Sequence, residues 1–111
     1  MKDDRLYLIH ISECIQRIEK YTTGGQDAFM QSDLIQDAVV RNLQILAEST
    51  QRISKNRQSD HPEIDWFKSA GFRNVLVHDY LGIDLDKVWN IVVKDLPGLK
   101  RGVSAMLAEI S

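Results

Sequence analysis

Apolar residues in this chain recur at every third or fourth position through four long stretches. No stretch alternates apolar with polar residues for long enough to build a sheet. A chain patterned this way buries its apolar surface by packing helices against one another. The first stretch runs from Asp4 to Tyr21, with Tyr7, Ile11, Cys14, Ile15 and Ile18 on one face, and Thr22-Thr23-Gly24-Gly25 ends it. The second runs from Ser32 to Ser54. Ser32 is its N-cap and Asp33 favours the positive helix end. Leu34, Ile35, Ala38, Val39, Leu43, Ile45, Leu46 and Ile53 give it a broad apolar face, with Asn42 in the middle.

A polar connection, Lys55 to Asp60, leads to a third helix with Pro62 in its first turn. This helix reaches about Leu81, where Gly82 stops it, and Gly71 is a point at which it can bend. The fourth starts near Asp84 as N-cap and carries Val88, Trp89, Val92 and Val93. Pro97-Gly98 breaks or kinks it, and Leu99, Val103, Met106, Leu107 and Ile110 resume the helical period. The expected fold is all-α: an antiparallel bundle of four to five helices in a single domain over residues 1–111.

With 43% hydrophobic residues, 111 residues can bury one core without disulfides or a structural metal. The net charge of −2 argues against a protein that coats nucleic acid through bulk positive charge. It leaves room for a local basic groove drawn from Arg41, Arg52, Lys55, Arg57, Arg73, Lys100 and Arg101. Cys14 is the only cysteine, so no intrachain disulfide or paired-cysteine metal site forms, and it suits a reducing cytoplasm. The N-terminus carries no signal-peptide pattern and the apolar runs are too short to cross a bilayer, so no membrane role is expected. His10, His61 and His78 fall in different segments with no HxxxH spacing, and neither a metal nor any other cofactor is expected.

The stretch richest in chemistry is Arg73-Asn74-Val75-Leu76-Val77-His78-Asp79-Tyr80. At about 100° per residue, with Arg73 at zero, Asn74 lies near 100° and His78 near 140°, while Phe72, Val75 and Leu76 lie between about 200° and 300°. Arg, Asn and His therefore share the side opposite the bulky apolar groups, along with Trp66, Ala70 and Gly71. A histidine on that side is either a reactive group or an ordinary surface residue. If reactive, the pair suits RNA. A neutral imidazole can take the proton of a ribose 2′-hydroxyl, and a guanidinium can bind the phosphate oxygens on which charge grows. The nearby guanidinium also disfavours a protonated imidazole. One helix offers one Arg and one His splayed apart, an open half of a site. Two copies about a twofold axis would complete a groove. Asn42 is either a buried amide paired with a neighbouring helix or a groove residue.

Arg73-x4-His78-x-Tyr80 resembles the Arg-x4-His-x-Tyr motif of HepT-like HEPN ribonucleases. Asp37 to Glu48 resembles the second helix of that family, and His61-Pro62-Glu63-Ile64 and Leu81-Gly82-Ile83-Asp84 resemble the segments flanking its motif helix. The resemblance implies an HEPN-like homodimer whose motif helices border a shared cleft. It implies a metal-independent endoribonuclease toxin, with Arg73 and His78 as the catalytic pair. It also implies a partner, an MntA-like minimal nucleotidyltransferase antitoxin that transfers AMP to Tyr80. Asn74, Asp79, Arg41 and Asn42 would support the groove. Arg41 and Glu48 match family positions, yet their spacing equally suits helix salt links, Asp37 with Arg41 and Glu48 with Arg52. The competing reading is a non-catalytic helical module that binds a nucleotide or a nucleotidyltransferase partner in the same groove.

Overall fold

The computed structural model describes residues 3–77 and 84–110, with the backbone alone for 73–77. Among the described residues there are seven α-helices and one π-helical turn, and no strand. The helices are α1 (Asp4–Tyr21), α2 (Gly25–Gln31), α3 (Asp33–Gln51), α4 (Lys55–Asp60), α5 (Trp66–Val77), α6 (Leu85–Asn90) and α7 (Leu96–Ile110), and the π turn is Ile91–Asp95. The all-helical reading holds.

Local chemistry sets the ends. Asp3 accepts the Arg5 N–H at 3.0 Å to cap α1, and at its other end the Thr22 hydroxyl donates to the Ile18 carbonyl at 2.7 Å. Gly25 then takes φ +87°, a left-handed conformation that glycine adopts without strain. The glycine pair is thus a tight turn into α2, a helix absent from the sequence reading, rather than the start of a loop. Ser32 caps α3 as expected, accepting the Ile35 N–H at 3.2 Å. Gln36 reaches back to the Phe29 and Met30 carbonyls at 2.9 and 3.1 Å, satisfying the end of α2.

Three boundaries differ from expectation. Helix α3 ends at Gln51, and Ser54 caps a separate short helix over the stretch read as a polar connection. Pro62 lies in a turn, and α5 starts four residues later, with Asp65 accepting the Lys68 N–H at 2.9 Å. Leu34, placed on the apolar face of α3, is 80% exposed, because the core-facing stripe there is set by Val39, Leu43 and Leu46.

The fourth helix does not break at Pro97-Gly98. From Asn90 through Leu96 the ends of α6, the π turn and α7 meet with helical backbone, and the Leu96 N–H donates to the Ile91 carbonyl five residues back. Proline lacks an N–H and its ring crowds the carbonyl four residues before it. The wider turn just ahead of Pro97 relieves that crowding. It also keeps the apolar faces in phase. Val88 and Ile91 point into the core, and the five-residue step brings Leu96, not Asp95, in after them, followed by Leu99, Val103 and Met106.

Asp4 at the start of α1 bonds to Ser54 beyond the end of α3, so these helices run antiparallel. Lys100, early in α7, meets Glu19, late in α1, at 2.8 Å, so that pair is antiparallel too. Helix α3 also packs on α5, and α2 on α3. The core gathers Leu8, Ile11, Ile15, Ile18, Phe29, Leu43, Leu46 and Met106, all essentially unexposed. Ile64, in the segment leading to α5, presses on Gly102 of α7 so closely that a Cβ there would overlap it. The approach to α5 is therefore seated directly on the backbone of α7.

Candidate functional site

Helix α5 carries the start of the motif. Ser69 and Phe72 point inward, 5% and 3% exposed, while Phe67 stands 91% exposed on the opposite side. A Cβ at Gly71 would meet open space. Helical register places the Asn74 backbone position on the outward stripe of Phe67, Ala70 and Gly71, with Arg73 beside it. The structure describes only the backbone of Arg73 and Asn74. His78, Asp79 and Tyr80 lie outside the described residues.

The other expected groove residues sit on α3. Arg41 is exposed, and among the described residues neither the Asp37–Arg41 nor the Glu48–Arg52 ion pair forms. Asn42 is buried, and its amide donates to the Ala38 carbonyl of its own helix at 2.9 Å. It satisfies itself one turn back rather than bridging to a neighbouring helix, the partner expected for a buried amide at that position. Cys14 is buried too, and desolvation pushes its thiol up.

Sequence reasoning missed the polar staple that fixes the approach to α5. His61 is 7% exposed, with Nδ1 2.9 Å from Glu63 and Nε2 3.0 Å from Glu109, 48 residues away on α7. A neutral imidazole has one N–H, so two carboxylate bonds require the imidazolium. The bond to Glu63, then that to Glu109, raises the His61 pKa, and the bond to His61 lowers that of Glu63. The Trp66 indole donates to the His61 carbonyl at 3.0 Å, tying the first residue of α5 to the same point. Beside it Arg57 pairs with Asp4 at 3.0 Å and stands 3.9 Å from Glu109. Burial alone would raise the Asp4 carboxyl, but the Ser54 hydroxyl and N–H together with Arg57 lower it. Lys68, on the first turn of α5, pairs with Asp95 of the π turn at 3.0 Å, and that bond raises the lysine. The signal available in sequence was the His61-x-Glu63 spacing; Glu109 was out of reach.

The staple has a pH signature. A folded-state pKa raised above the usual imidazole value near about 6.5 contributes stability in full below that value and loses it as pH rises through the raised one. The lowered Glu63 contributes above the carboxylate range and loses its part as pH falls through its folded value. Melting temperature should therefore fall as pH rises from about 6.5 through the raised His61 value, and His61→Gln should flatten that limb. Melts of the two proteins with parallel alkaline limbs would remove the staple's role.

Among the described residues, no three His, Cys, Asp or Glu side chains gather to hold a metal ion, and no helix is long and apolar enough to cross a membrane. The family model "Ribonuclease HepT-like" matches residues 11–106. A Methanocaldococcus jannaschii protein named "Gamma-glutamylcyclotransferase and putative RNase" is 36% identical over 98% of this chain, which spans half the length of that protein. A Thermococcus cleftensis protein named "Probable ribonuclease HepT" is 37% identical over 85% of this chain and 86% of its own length. The "mRNA nuclease HepT" of Shewanella oneidensis is 30% identical over 89% of this chain and 92% of its own. No solved structure matches. With the family model covering the α1-to-α7 core and the motif alike, this chain belongs to the HepT-like ribonuclease family.

Proposed function

We propose that residues 1–111 form one HEPN-like domain that works as a homodimeric, metal-independent endoribonuclease toxin in the cytoplasm. The observation that carries this is the Arg73-x4-His78-x-Tyr80 motif in a chain of the HepT-like family. His78 takes the proton of a ribose 2′-hydroxyl, and the oxygen attacks the adjacent phosphorus. The bond to the 5′-oxygen breaks, and that oxygen leaves after taking up a proton from solvent. Arg73 binds the non-bridging oxygens as their charge grows. The products are a 2′,3′-cyclic phosphate and a 5′-hydroxyl. Asn74, Asp79 and Arg41 line the cleft shared by two protomers, and each protomer contributes its own Arg and His.

An MntA-like nucleotidyltransferase acts as antitoxin and places AMP on Tyr80, two residues from the base. Added negative charge and bulk there repel the RNA backbone. The test is purified protein on single-stranded RNA in EDTA, with the ends of the fragments identified. Cyclic-phosphate ends in the absence of divalent ions are expected. Intact RNA together with tight nucleotide binding would instead establish the non-catalytic module. Mass spectrometry after incubation with the antitoxin and ATP should find AMP on Tyr80 and none on a Tyr80→Phe protein.

A further inference from the structure

Phe67 is the only exposed aromatic side chain among the described residues. Its ring is spent neither on the core nor on a neighbouring ring, although it sits one residue from Trp66, which is tied down. It borders an open groove of about 470 Å³ between the end of α3, α4 and the first turns of α5. Thr50, Gln51, Lys55, Gln58, Trp66 and Ala70 line the rest. The volume falls within the range of about 300–1,000 Å³ usual for small-ligand sites. No carboxylate is among those lining residues, and Lys55 has no ion-pair partner among the described residues. A second cleft, which shares Lys55, Gln58, Trp66 and Phe67 with this groove, also includes Glu63 and Asp65.

From these features we propose that Phe67 and Lys55 form a nucleobase subsite for single-stranded RNA: the ring stacks a base and the ammonium pairs with its phosphate. A flat exposed ring beside one uncompensated cation and neutral amides is the combination that holds single strands. A protein interface would instead centre on a contiguous apolar patch depleted in lysine. Here, beyond Trp66 and Ala70, the groove beside the ring is lined by Thr50, Gln51, Lys55 and Gln58. The subsite also lies in line with the motif. Asn74 follows Phe67 by seven residues, two helical turns, on the same stripe of α5. A base held at Phe67 thus fixes a strand that runs along α5 toward the Asn74 position of the motif. The inference rests on the ribonuclease reading and deepens it by naming a residue that selects single-stranded over paired RNA.

The experiment measures cleavage kinetics and, separately, fluorescence anisotropy of a 2′-O-methyl oligoribonucleotide, which binds but has no 2′-hydroxyl to attack. Phe67→Ala should weaken oligonucleotide binding and lower kcat/KM about tenfold, mostly through KM, as loss of about 1–3 kcal/mol of stacking implies. Phe67→Trp should retain both. Lys55→Gln should reduce the salt slope of binding by about 0.7, the value for one phosphate contact on a single strand. If the wild type cleaves RNA but Phe67→Ala binds and cleaves like it, the subsite is wrong and the ribonuclease reading stands. If the wild type cleaves nothing yet binds the oligonucleotide in a Phe67-dependent way, the reading fails and the subsite stands. If Phe67→Ala leaves RNA affinity unchanged but dissociates the protein in sedimentation, the ring is a contact between copies, and the proposal is overturned.

Discussion

Arg73→Ala and His78→Ala should each reduce RNA cleavage by at least about a hundredfold, leaving the helical fold and melting temperature nearly unchanged. General-base catalysis contributes roughly 10²–10⁴ in rate, and a donor aimed at developing charge roughly 10²–10³. The double variant should fall little below the weaker single one, because two groups acting on one proton transfer and one phosphate are not additive. Arg73→Lys separates charge from geometry. It keeps a cation but loses the two-pronged grip on phosphate, so an intermediate rate is expected. His78→Ala also tests the base directly, since the acidic limb of the rate profile should disappear with the imidazole. Full cleavage by either alanine variant, measured at matched protein concentration, would move the chemistry elsewhere in the chain.

Phe29→Ala should destabilise the fold by about 3–5 kcal/mol, a substantial part of the roughly 5–15 kcal/mol that holds a domain of ordinary stability. Phe29 is completely buried on a helix of only seven residues, and its ring lies 5.3 Å from that of Trp89 on α6. It is the one buried residue of α2 and so anchors that helix to the bundle. Its loss opens a cavity and releases α2 together with the cap that Gln36 makes on it. Urea unfolding of the variant should show a much lower midpoint. A midpoint within a few tenths of a molar of the parent would mean that α2 contributes little to the core.

That helix also shows where the sequence stopped being legible. The bounds of α1 follow from its sequence because both ends are written locally, in Asp3 and in Thr22 through Gly25. Ser32 and Asp84 mark their helix starts for the same reason, each accepting N–H groups within three residues. Helices α2 and α4 are too short for a hydrophobic period to register, and α4 buries no residue at all. Pro62 fits a helix start or a turn equally well. The deciding group is His61, held by a carboxylate 48 positions away. The motif itself needed only local spacing to be seen. The environment of Asn42 was ambiguous because its partner is its own backbone, which the same sequence would allow in either setting. The exposed ring of Phe67 was overlooked for a different reason: six residues before Arg73, it falls at about 120° on the motif's helical wheel, between Asn74 and His78, but its hydrophobicity alone argues for burial.

The π turn at Ile91–Asp95 bears on how chains of this kind change length. Deleting one solvent-facing residue such as Val93 converts the wide turn into an ordinary one without rotating α7 about its axis, since the five-residue step from Ile91 to Leu96 becomes the usual four. Such a deletion keeps the core face in phase in the middle of a helix, where alignments rarely look for gaps, at the cost of returning the Pro97 ring to the carbonyl four residues before it. Kinship between sequences that differ by one codon there is easy to misregister.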